Sequence, residues 1–142
     1  MTDMLNKVTD AWTRAWGDGD TRAFEDLAAP EYRRHSKTGE EGIEEVTQQI
    51  RQSSAAFSEF TVEVVNAIED DGVIAILWRS TGKHTGEFMG VPPTGRTVTV
   101  MGSSFIKHRD GKLIDESSVW DPRELLSSMR IWHLGDFLRQ TT

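Results

Sequence analysis

The sequence predicts an α+β domain in which three amphipathic helices precede an antiparallel sheet and a further helix follows it. Three observations carry that prediction. Up to about residue 57 the apolar residues recur at helical spacing; from 60 to 121 they alternate, in stretches rich in β-branched residues; and "EDDG" and "RDGK" stand between those stretches as hairpin turns. Helices segregated from one antiparallel sheet define the α+β arrangement, and neither an internal repeat nor a low-complexity segment interrupts it.

The first helix is read over Asp3–Trp16, where Met4, Leu5, Val8, Trp12, Ala15 and Trp16 share a face and "GDGD" (17–20) ends the pattern. A second, Thr21–Ala29, stops at Pro30, and "EYRRHS" (31–36) follows as a short strand or loop. The third covers Glu41–Phe57; Ile43, Val46, Ile50 and Phe57 form its face, and its acidic first turn suits the positive end of a helix dipole. Four strands in meander order are expected at 60–68, 72–84, 95–108 and 111–121. Pro122 suits the first turn of a last helix, 122–134, whose face carries Leu125, Leu126 and Met129 with Ile131 or Trp132. A strongly curved sheet around the helix layer would enclose a cavity.

At 142 residues the chain fits one domain, 1–142, large enough to bury about 70% of the surface its unfolded chain exposes. It has no cysteine, which removes disulfides and thiolate chemistry, and its four histidines lack metal-ligand spacing. The net charge of −7 and the lack of a basic stripe argue against a nucleic-acid partner. Neither GxxxxGK[ST] nor GxGxxG is present, so no nucleotide cofactor is implied. Without a long apolar run or a cleavable leader, the expectation is a cytoplasmic protein that makes no use of a membrane.

Strand alternation sorts the candidate site residues. Ile74, Ile76, Trp78, Ser80 and His84 share one parity; Thr97, Thr99, Met101, Ser103 and Phe105 share another row; Ile114, Glu116, Ser118 and Trp120 a third. Apolar rows with a few polar tips line small-molecule pockets, and they equally describe the half-solvated face of a sheet. An imidazole can give or take a proton under mild conditions, so His35 is a candidate general acid or base, or else a surface histidine among charges. Glu116 and Asp121 stand on or beside the pocket strand, Asp121 also suiting the N-cap of the last helix. His108 reads as solvated and His133 as a helix-surface or interface residue. Trp12, Trp16 and Trp132 fit helix faces against a core, which leaves Trp78 and Trp120 to stack on a flat ligand.

Between the second and third strands lies "HTGEFMGVPPTGR" (84–96), followed after a strand by "DGK" and "VWDPRELL". With "GDGD", "TRAFEDLAAP" and "YRRHS" upstream, this set resembles the SnoaL-like polyketide cyclases of the nuclear transport factor 2-like superfamily along essentially the whole chain. The resemblance implies a cone of curved sheet closed by helices, one deep apolar pocket, a homodimer or higher homo-oligomer, and a polyketide-like small-molecule substrate turned over without a cofactor. In aldol cyclases of the family an aspartate shuttles the proton and a histidine helps to hold the substrate; those positions fall on Ser118 and Met101. Neither side chain shuttles a proton unaided at neutral pH.

The resulting expectation is a cyclase or isomerase of secondary metabolism, such as antibiotic biosynthesis, that folds a bulky apolar substrate and assists with acid/base chemistry. His35, Ser118, Glu116 and Asp121 would form the catalytic set; Trp78, Ser80, His84, Phe88, Met89, Met101, Ser103, Phe105 and Trp120 would contact substrate. The 84–96 segment would be a lip whose Phe88, Met89 and Val91 cover the cavity mouth or pack on a partner. Alternatives are a water-adding enzyme of the same fold, with Asp121 or Glu116 activating water, and a non-catalytic ligand-binding module.

Overall fold

The computed structural model describes residues 3–36 and 39–130. Within them the chain runs α1 (Asp3–Asp18), α2 (Thr21–Leu27), β1 (Ala28–Ser36), β2 (Gly39–Glu41), α3 (Ile43–Ala56), β3 (Phe57–Asp70), β4 (Val73–His84), β5 (Thr97–Arg109), β6 (Lys112–Trp120) and α4 (Pro122–Ser128). Every predicted helix is present, and α1 continues two residues beyond Trp16. Asp20 then caps α2 by accepting from the Ala23 amide at 3.1 Å. Ile131, Trp132 and His133 lie outside the described residues.

The sheet is larger than the four-stranded meander. Among the described residues its six strands are ordered β2-β1-β6-β5-β4-β3, and β1 joins β6 in parallel while every other pair is antiparallel. The expected antiparallel sheet is therefore mixed. "EYRRHS" becomes a full strand because it lies beside β6, more than 80 residues further on, a pairing that no local pattern announces. Register shifts interrupt β1 against β6, β3 against β4, and β5 against β6. Such bulges bend strands and increase twist, and the result is a curved but unclosed sheet.

Two apolar clusters fill the concave side. Leu5, Val8 and Trp12 of α1 meet Phe24, Tyr32, Ile50, Ile74 and Ile106 in one; Ala56, Phe57, Val91, Val98, Val100, Leu125 and Met129 form the other. Trp78 packs against both and so stands where they meet. A methyl group at Gly102, across the ladder on β5, would overlap the Trp78 ring, so glycine there lets the indole lie flat on the sheet.

Alternation fixes which faces look inward. On β4 the expected parity holds, with Ile74, Ile76 and His84 buried. On β5 it is reversed: Val98, Val100, Ser104 and Ile106 are buried, whereas Thr97, Thr99 and Phe105 are exposed, Phe105 by 53%. On β6 Glu116, Ser118 and Trp120 face inward as expected; Leu113 rather than Ile114 is the buried residue at the start, next to the register shift. None of the described helices is long and apolar enough to cross a membrane.

Candidate active site

Between the two clusters lies a cavity of about 320 Å³, enclosed by α1, α3, α4, the lip and the concave sheet. Four tryptophans contribute to its wall: Trp12 and Trp16 from α1, Trp78 from β4 and Trp120 from β6. Indoles bury large flat apolar area, so this wall suits flat apolar ligands.

One side of the cavity holds a buried polar chain. Glu116 is 1% exposed and accepts from the Tyr32 hydroxyl at 2.8 Å, the Ser118 hydroxyl at 3.1 Å and the Trp12 indole N–H at 3.5 Å. Ser118 and Ser104 Oγ are 2.8 Å apart, and Trp78 Nε1 donates to Ser104 at 3.2 Å. Since the Ser118 hydrogen goes to the carboxylate, the Ser104 hydrogen goes to Ser118. The sequence builds this chain by adjacency of register: Ser104 faces Ser118 across the β5–β6 ladder, and Glu116 is two residues from Ser118 on the same face. Burial, reinforced by the neighbouring Glu116 charge, raises the Tyr32 phenol well above its usual range and keeps it a proton donor.

The structure brings together Trp78, Ser80, Phe88, Met89 and Trp120 on the cavity wall, and Glu116 and Ser118 just behind it. It separates the rest. On β1 the inward residues are Tyr32, Arg34 and Ser36, which turns His35 outward; its side chain is 47% exposed and hydrogen-bonded to Asp115 at 2.8 Å. Met101 and Ser103 face the outer groove beside Leu77 and Val119, and Phe105 shares their outward parity. Asp121 caps α4 through the Arg123 amide at 2.9 Å and pairs with the Arg123 side chain.

His84 is buried beside the cavity rather than in its wall. Its ring packs 5.6 Å from Phe57, and its Nδ1 accepts from the Thr94 amide at 3.2 Å. Its backbone also bonds to Arg96 and Gly95, so this histidine ties down both ends of the lip. Burial lowers its pKa below the usual 6.5, against a smaller opposing effect of the Gly86 backbone. Within the lip, Phe88 and Val91 exchange backbone hydrogen bonds around Met89 and Gly90, both at positive φ, a tight two-residue hairpin. Phe88 thereby points at Phe57, Val91 joins the second cluster, and Met89 stays 67% exposed at the mouth.

Sequence reasoning missed Ser104, Arg34 and the place of Trp12 and Trp16 in the cavity wall. The signal for Ser104 was present: Val98, Val100 and Ile106 form a more apolar row than Thr97, Thr99 and Met101.

Residues 6–128 match the profile of the SnoaL-like polyketide cyclase family. No curated protein matches the chain. Among solved structures, AclR from Streptomyces galilaeus, a candidate hydroxylase, is 24% identical with a TM-score of 0.79 over 90% of this chain and 83% of its own. IdmH from Streptomyces antibioticus, a candidate polyketide cyclase, is 22% identical (TM-score 0.80; 91% of this chain, 99% of its own). TsrD from Streptomyces laurentii is 19% identical (TM-score 0.84; 92% and 98%). These likenesses establish the nuclear transport factor 2-like fold. Because the family profile spans both the helices and the sheet that enclose the tryptophan-walled cavity, the chain belongs to the SnoaL-like polyketide cyclases.

Proposed function

We propose that the protein is a cofactor-independent cyclase or isomerase that removes a proton next to a carbonyl of a flat, apolar polyketide-like substrate. The observation that carries this reading is the buried Glu116 carboxylate, linked to the cavity through Ser118 and Ser104. Ser104 Oγ has a free lone pair toward the cavity after accepting from Trp78. As it takes the substrate proton, its own hydrogen passes to Ser118 and that of Ser118 to Glu116. The enolate carbon then bonds to a second carbonyl carbon, or is reprotonated elsewhere, and Glu116 returns the proton along the same serines. No atom is gained or lost. The tryptophan wall holds the chain in a reactive conformer, which supplies the positioning such a reaction needs.

This replaces His35 as the proposed acid/base group, and it explains how serine can occupy the family's aspartate position: the carboxylate sits two residues earlier on the same face. The test is incubation with open-chain aromatic polyketones in deuterium oxide. Protein-dependent exchange of the hydrogens beside the carbonyl, with a product that differs in mass from the substrate only by the deuterium taken up, or also by the one water that an aldol adduct loses on dehydration, supports the reading. A product heavier by one water favours water addition, and saturable binding with neither exchange nor product favours a binding module.

A further inference from the structure

Arg34 is 8% exposed and lines the same cavity, in a chain whose net charge is −7. A guanidinium stays protonated, so its charge is buried there permanently, and buried charges are ordinarily paired. Arg34 has no ion pair among the described residues. Its Nη1 donates to Gln49 Oε1 at 2.7 Å, its Cζ lies 5.1 Å from the centre of the Trp16 ring, and its buried Nε has no hydrogen-bond partner.

Both acidic neighbours in register are engaged elsewhere. Glu116, across the β1–β6 pair, is held by Tyr32, Ser118 and Trp12. Glu41, across the β1–β2 pair, accepts from Ser36 and Gln49. Gln49 thus stands between Glu41 and Arg34, taking one charge with its amide nitrogen and the other with its oxygen. What remains is a cation with an unpartnered Nε, beside an aromatic ring at the wall of a largely apolar cavity. Such a guanidinium matches an oxyanion, and a planar carboxylate best.

We propose that Arg34 is the docking point for a carboxylate on the ligand, so that the cavity takes flat aromatic acids. This rests on the reading of the cavity as the substrate site and adds the substrate's charge to it. An acid held at Arg34 presents its apolar body to the tryptophans.

The experiment is a titration of the full chain with 2-naphthoate and with 2-naphthamide, its uncharged counterpart, followed by tryptophan fluorescence and calorimetry. The acid is expected to bind about tenfold more tightly or better, the margin of a hydrogen-bonded charge. Arg34→Gln should remove that preference and Arg34→Lys retain part of it, each checked for folding by circular dichroism. Equal affinities in the unaltered protein, or no saturable binding of the acid, overturn the proposal whatever the variants do. The two readings fail separately. Acid preference in a protein that catalyses no proton exchange leaves the anchor and removes the cyclase; exchange on neutral polyketones without acid preference does the reverse.

Discussion

The two sides of the cavity are made of opposite materials. Toward the first core cluster, Glu116, Tyr32, Ser118, Ser104 and two indoles form hydrogen bonds whose directions are fixed by chemistry. Toward the second, Phe57, Phe60, Phe88, Val98 and Leu125 line the cavity with apolar surface, and the lip above them turns on a left-handed methionine. The polar side can favour one proton position over another; the apolar side can favour one shape over another. The proposed cyclisation needs both, and the difference between them predicts how each side fails.

The largest effect is expected at Glu116. Glu116→Gln keeps the volume and one acceptor but cannot hold the proton, so kcat should fall about 10²- to 10⁴-fold with little change in KM. Steady-state kinetics, or the rate of deuterium exchange, would show it. An unchanged rate would assign the work to the apolar side alone. Next is Gly102→Ala, which forces the Trp78 ring off the sheet at the junction of the two sides. A loss of about 1–3 kcal/mol is expected by urea unfolding, the range for overpacking, together with weaker ligand binding. If stability holds, Trp78 has room to tilt and the junction is softer than its geometry implies.

The smallest effect concerns pH on the lip side. Burial lowers the His84 pKa, so between 6.5 and the lower folded value the unfolded chain carries a proton that the folded chain does not. Stability from this residue is full above 6.5 and declines as pH falls through that window. Comparing the melting temperatures of the protein and of His84→Gln from pH 8 to 5 isolates the contribution. The variant should lose about 1 kcal/mol at pH 8, from its bonds to the lip, and show a shallower decline on acidification. An equally steep decline in the variant would place the pH sensitivity elsewhere.

The sequence carried the fold in its periods, and the places where it misled have physical causes. Met101 and Phe105 are bulky and apolar, so the row containing them looks like a core row. On β5 the β-branched pair Val98 and Val100 fixes the inward face instead, and a shift of one residue exchanges every side chain. That single parity moved the candidate polar tip from Ser104 to Ser103. On β1, "YRRHS" alternates too, but nothing in five residues says which side meets the helices. Tyr32 decides it by filling the core and bonding to Glu116, and Arg34 follows it inward while His35 does not. Glu116, Ser118, Trp78 and Trp120 were legible because β4 and β6 keep their alternation through the residues that matter. Arg34 was not, because its setting depends on a parallel pairing between distant segments and on Gln49 from α3.

The hydrogen-bond chain from Trp78 to Glu116 has a direction. An indole can only give a proton and a carboxylate can only take one, so the two serine hydroxyls between them have a single way to point. With Glu116 charged, Ser104 faces the cavity as an acceptor and has nothing to give. Once the carboxyl is protonated, both hydroxyls are free to turn, and Ser104 becomes a donor. A molecule in the cavity therefore reads the charge state of a residue it never touches, through the orientation of one hydroxyl. The same oxygen would grip a C–H or O–H before the proton moves and a bare carbonyl oxygen afterwards, which gives the site a built-in distinction between what enters and what has reacted.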